Sequence, residues 1–164
     1  MKNSLANEFL VAKGFKQKYK DYLNFSNKKI TKDFSQLNKY EVTEKGSKVA
    51  VIGLGTFYNM GCEVAKAVEE KTGTKATVIN PYYITGIDEV LLEDLKKDHD
   101  VVITLEDGFL EGGFGEKIAR FYGDSDVKVL NYGVKKELLD RYDIEELLKK
   151  NHLTVQQIVG DLKF

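Results

Sequence analysis

The chain has 164 residues, 42% of them apolar and 31% charged, which suits one globular domain with a short extension and excludes a disordered or fibrous chain. One cysteine, Cys62, and two histidines, His99 and His152, exclude an internal disulfide framework and a cysteine-built zinc site. The net charge of −1 conceals an imbalance: residues 1–46 hold ten lysines against five acids, and the remainder fifteen basic residues against twenty-one acidic ones.

Apolar runs such as 49–54 and 101–105 are too short to span a bilayer. The start, Met1-Lys2-Asn3-Ser4, leads into no continuous apolar stretch of a secretory signal. No membrane partner is expected, and the single cysteine suits a reducing, cytoplasmic location.

Residues 1–45 read as a basic extension or interdomain linker, with a boundary near Gly46. In it Lys13, Phe15, Lys16, Lys18, Tyr19, Lys20 and Tyr22 interleave cations with aromatics, as a single-strand nucleic-acid surface would. The extension has no arginine and no recognisable binding fold, so no nucleic-acid partner is expected. Its aromatics suit anchors against a neighbouring domain equally well. Deleting residues 1–30 is expected to change the melting temperature by only a few degrees.

From Lys48 onward strands alternate with helices. Residues 48–54 (KVAVIGL) form a short β-branched strand of the doubly buried kind. Residues 60–71 place Val64, Ala65, Ala67 and Val68 on one helical face, and Gly73 closes the helix. A second strand over 75–79 stops at Asn80-Pro81, and Asp88 caps a helix to residue 97 whose buried side is Val90, Leu91, Leu92 and Leu95. A third strand covers 100–106, a glycine-led helix 112–122 and a fourth strand 127–131. Helices over 143–150 and 154–163 finish the chain.

This order implies an α/β fold: three-layer α/β/α, with a mostly parallel sheet of four to five strands. Ligands in such folds sit at the carboxyl ends of the strands, which directs attention to loops 55–59, 80–86, 107–113 and 132–136. The first loop, Gly53-Leu54-Gly55-Thr56-Phe57-Tyr58, lacks the third glycine of a dinucleotide fingerprint, and Asn80 stands where a ribose-binding acid belongs. It reads as a tight strand-to-helix turn. The third loop ends in Gly112-Gly113-Phe114-Gly115, whose amides could face an anion. Its acids, Glu106, Asp107 and Glu111, would repel phosphate, and Lys117 is the one nearby cation. The simpler reading is that Gly112, Gly113 and Gly115 permit positive φ and close helix docking. His99, between acids in a polar turn, reads as solvated, His152 as a helix C-terminal residue, and Cys62 as a packing thiol. No catalytic, cofactor-binding or metal-binding constellation emerges.

The segments Leu37-Asn38-Lys39-Tyr40-Glu41-Val42, GSKVAVIGLGT from Gly46, Thr104-Leu105-Glu106-Asp107 with Gly112-Gly113-Phe114-Gly115, and Val129-Leu130-Asn131-Tyr132-Gly133 carry a resemblance. Residues 33–164 resemble the C-terminal domain of the transketolase superfamily, most closely the third domain of 1-deoxy-D-xylulose-5-phosphate synthases. The β-subunits of 2-oxoacid dehydrogenases share the Gly-Gly-Phe-Gly segment and are the near competitor. The resemblance implies an enzyme whose thiamine diphosphate and Mg²⁺ are held by its first two domains, the third supporting the dimer and trimming the substrate channel. It implies no cofactor in this chain, no turnover of the chain alone, the thiamine-binding domains as partners, and a weak homodimer. Channel positions on this basis are Tyr82, Asp107, Gly112, Gly113, Lys135 and Lys136. Two departures stand out. Tyr82 replaces a phosphate-contacting arginine of the synthases, and Lys135-Lys136 replaces a Pro-Asp pair. Asp107-Gly108 with Asn131 sits at about the separation of a thiamine diphosphate motif, but Glu106 and Tyr132 break the pattern. A free-standing interaction or ligand-binding module that kept the fold and lost the chemistry is the alternative.

Overall fold

The computed structural model describes residues 37–137 and 143–163, and the readings made for residues 1–30, Phe15, Tyr19 and Tyr22 among them, lie outside the described residues. Five strands form one sheet in the order β1-β3-β2-β4-β5. They are β1 (Glu41–Glu44), β2 (Lys48–Gly53), β3 (Thr77–Asn80), β4 (His99–Phe109) and β5 (Lys128–Val134). The helices are α1 (Tyr58–Thr72), α2 (Glu89–Leu95), α3 (Phe114–Phe121), α4 (Ile144–Lys150) and α5 (Val155–Gly160).

Strands β3, β2, β4 and β5 run parallel, and β1 pairs antiparallel with β3. Side chains on β2 show why the sheet is covered twice. Val49 and Val51 face Val64, Ala65 and Val68 of α1 with Ile158 and Val159 of α5. Ala50 and Ile52, alternating with them, face Leu92 and Leu95 of α2 with Phe114 and Ile118 of α3. A strand covered on both sides must be apolar at every position, which is what VAVI is. Each large aliphatic side chain so covered contributes roughly 1.5–3 kcal/mol. Helix α1 ends where Gly73 turns left-handed at φ 71° and its amide bonds the Glu69 carbonyl at 2.8 Å.

Four local expectations are corrected. The chain divides after Gln36 into two units, and the second, from Leu37, includes β1, which belongs to the sheet instead of the extension. Edge strand EVTE needs only Val42 as an apolar contact, so no apolar run marks it. Val90 is 72% exposed, because it lies about 200° around the helix from Leu92 and so faces away from the core. His99 is buried at 6% exposure, since β4 begins one residue earlier than its polar neighbours suggest. Strand β4 also runs past Glu106: after a register shift Phe109 pairs with Val134.

Candidate functional site

In this strand order the chain leaves β2 toward β3 on one side and returns to β4 on the other, so the topological switch point lies between the carboxyl ends of β2 and β4. That crevice is the usual ligand position in open α/β sheets. Here the chain bridges it. The Leu54 amide bonds the Leu105 carbonyl at 2.8 Å, and Thr56 Oγ1 donates to Asp107 Oδ2 at 3.3 Å. The turn after β2, Gly55–Phe57, is a single 3₁₀ turn with Gly55 at φ 56°. A Cβ on Gly53 would sit 2.6 Å from Tyr58 Cα, so this turn is as tight as the sequence implies.

The end of β4 turns on one buried carboxylate. Glu106, 3% exposed, accepts the Phe114 amide at 2.8 Å on Oε2 and the Gly115 amide at 2.9 Å on Oε1. These are two of the amides left without partners at the start of α3. Backbone and glycines are shaped around this contact. A Cβ on Gly113 would lie 2.6 and 2.7 Å from the Glu106 oxygens, and one on Gly115 would lie 2.6 Å from Thr104 Oγ1. Of Gly112, Gly113 and Gly115 only Gly112 has positive φ, 72°, and its amide donates to Glu116 Oε2 at 3.0 Å. Positive φ was expected at Gly113 and Gly115 as well; there the requirement is space, not dihedral freedom. Thr104 Oγ1 in turn donates to Asn131 Oδ1 at 2.8 Å, joining β4 to β5 beneath the helix start.

The six expected channel positions divide into two groups. Asp107, Gly112, Gly113, Lys135 and Lys136 collect at the ends of β4 and β5, where the Leu110 amide bonds the Val134 carbonyl at 2.9 Å. Lys135 donates its amide to Asn151 Oδ1 at 2.8 Å, and the exposed Lys136 ammonium lies 4.0 Å from Glu111. Tyr82 stands apart, on the loop after β3. It is exposed, left-handed at φ 53°, held by Asn80 Oδ1 through its amide, and its hydroxyl donates to the Glu41 carboxylate. Lys117, the cation beside the glycines, donates to the Ile84 carbonyl at 2.5 Å and so ties α3 to that second loop. Cys62 is half-buried on α1, where burial pushes its thiol above the usual range, as befits a packing residue.

Sequence reading passed over Glu106 as a binding group. The available signal was an acid ending an otherwise apolar strand, placed just before a glycine-led helix whose amides need an acceptor.

Residues 38–158 match the family model for the transketolase C-terminal domain. The chain belongs to that family. It is 32% identical over 143 residues to a 1-deoxy-D-xylulose-5-phosphate synthase of Alkaliphilus oremlandii, covering 84% of this chain and 23% of that one. With the synthase of Gloeothece citriformis it is 33% identical over 128 residues, 77% of this chain and 20% of that one. A solved split-gene transketolase, described as an inactive beta4 tetramer, superposes with a TM-score of 0.65 at 26% identity, over 75% of this chain and 39% of that chain. The chain thus spans about a fifth to a quarter of the curated relatives' length.

For a transketolase C-terminal domain the question is whether this edge could itself hold thiamine diphosphate. The donor set does not fit. The Phe114 and Gly115 amides that would receive a diphosphate at the start of α3 are taken by Glu106, and the Gly112 amide before them by Glu116. Among the described residues no group of three or more His, Cys, Asp and Glu side chains is placed to hold a metal ion.

Proposed function

We propose that this chain serves as the C-terminal domain of a thiamine-diphosphate-dependent transketolase-type enzyme of the 1-deoxy-D-xylulose-5-phosphate synthase kind. The parent reaction joins a two-carbon unit from pyruvate to glyceraldehyde 3-phosphate with release of CO₂. In it this domain walls the substrate channel with Asp107, Gly112, Gly113, Lys135 and Lys136, and contributes to self-association, while the thiamine-binding domains bring cofactor and Mg²⁺. The observation that carries the reading is Glu106: its carboxylate serves the chain's own helix, which suits a wall and not a catalytic centre. The identity to two synthases over most of this chain supports the substrate class. A second reading, a binding module without the chemistry, draws support from Tyr82, whose hydroxyl donates to the chain's own Glu41 carboxylate instead of being turned to a substrate phosphate.

The test is calorimetry and turnover on one preparation. Alone, with thiamine diphosphate, Mg²⁺, pyruvate and glyceraldehyde 3-phosphate, the chain is expected to give no saturable cofactor heat and no CO₂. Mixed with the first two domains of the Alkaliphilus oremlandii synthase, it is expected to restore CO₂ release, with a concentration-dependent dimer in sedimentation. Micromolar cofactor binding by the chain alone overturns the proposal. Stable mixing without any turnover favours the module.

A further inference from the structure

We infer that Glu106 closes the carboxyl edge of this sheet to anions, so that a substrate passing it presents an uncharged portion here while its phosphate or carboxylate is held by other parts of the enzyme. An open α/β sheet has two ready devices for an anion at this edge: free amides at a helix start, and a cation beside them. The amides are occupied from within, and two of the nearby cations are drawn toward the chain's own acceptors. The Phe114 and Gly115 amides face Glu106 at 2.8 and 2.9 Å, and the Gly112 amide faces Glu116 at 3.0 Å. Lys117 is committed to the Ile84 carbonyl, and Lys136 stands beside Glu111.

The carboxylate is built in, not incidental. It is almost wholly buried, it accepts charge-assisted bonds on both oxygens, and it balances the positive end of α3. The missing Cβ of Gly113 is what lets the backbone pass those oxygens. A second anion brought to the same amides would meet the buried Glu106 carboxylate, where like charges are poorly screened, with Asp107 and Glu116 exposed on either side. The statement about substrate rests on the proposed function; the closure to anions does not.

The experiment is an NMR titration of the full chain with inorganic phosphate against chloride at matched ionic strength, reading the amides of residues 112–116 and 135–136. Wild type is expected to show no saturable shift. In Glu106→Ala the Phe114 and Gly115 amides are freed and should shift saturably, with phosphate binding roughly tenfold or more tighter than the wild-type limit. Glu106→Gln keeps the volume and removes the charge, and should move in the same direction by less, which covers a failure of the alanine variant to fold. Saturable wild-type binding, at the α3 amides or at Lys135 and Lys136, overturns the inference. So does a folded variant that behaves as wild type. Neither result depends on whether the turnover assay succeeds.

Discussion

His99 lies where three elements meet. Its Nε2 is 2.8 Å from Thr77 Oγ1 on β3, and its Nδ1 is 3.2 Å from the Leu95 carbonyl ending α2 and 2.6 Å from Asp98. Thr77 Oγ1 already accepts the Gly46 amide at 3.0 Å. The Leu95 carbonyl and the Asp98 carboxylate can only accept, so Nδ1 carries the hydrogen toward them, and the Thr77 hydroxyl faces Nε2. His99→Ala would take one hydrogen-bond partner each from the buried Thr77 hydroxyl and the Leu95 carbonyl and leave a cavity in place of the ring, at a cost of about 2–3 kcal/mol. A urea midpoint close to wild type would count against this role. The sequence shows a histidine among acids, which ordinarily means solvent. What hides its burial is that its partners, Thr77 and Leu95, come from other elements. Glu106 was obscure for the same reason: its value depends on where α3 begins in space. By contrast, Asp88 was readable as a cap, because it accepts the Leu91 amide only three residues ahead.

At the scale of elements, β1 and the loop after β3 behave as one unit. Asp88 caps α2 through the Leu91 amide, and the same carboxylate receives the Lys39 ammonium and the Tyr40 amide, each at 3.0 Å. Thr85 Oγ1 donates to Asn38 Oδ1 at 2.8 Å, and Tyr82 reaches Glu41. Removing β1 therefore strips partners from a helix cap and a loop as well as from a strand. A chain beginning at Gly46 is expected to melt about 10 °C or more below one beginning at Leu37, by differential scanning calorimetry; equal melting temperatures would contradict the coupling. The parallel strands were legible because burial on both faces forces continuous Val and Ile. Strand β1 was not, because an edge strand can be held mainly by backbone hydrogen bonds and side-chain ties, with little apolar demand.

Across the whole molecule, phenols and one thiol set the alkaline limit. Burial raises Tyr58 to about 12 against hydrogen bonding from Thr43, and it raises Tyr40, Tyr122 and Tyr132 further, Asp161 adding to the effect at Tyr132. Cys62 is raised by burial too. In the unfolded chain these groups lose protons near their ordinary values, so above about pH 9 to 10 the unfolded state holds fewer protons than the folded one. Stability must then fall as pH rises through that range, and the part owed to these groups is fully present below it. Urea midpoints are expected to be level between about pH 7 and 8.5 and to decline above about pH 10. Beyond the tyrosinate absorbance of exposed phenols such as Tyr82, that of Tyr40, Tyr58, Tyr122 and Tyr132 should appear together with unfolding; ionisation of these four in the folded protein at pH 10 would contradict the burial.

The central place of β2 also has a consequence during synthesis. It ends at Gly53, while the strands that flank it, β3 at Thr77–Asn80 and β4 at His99–Phe109, are made later. At roughly 5–20 residues per second, Val49–Ile52 waits on the order of several seconds for its second neighbour. During that interval it is an unpaired, proline-free, β-branched segment, the kind that nascent chains use for wrong pairings. Lys45 and Lys48 directly before it place positive charge beside the segment at its most vulnerable moment, the arrangement expected of gatekeepers.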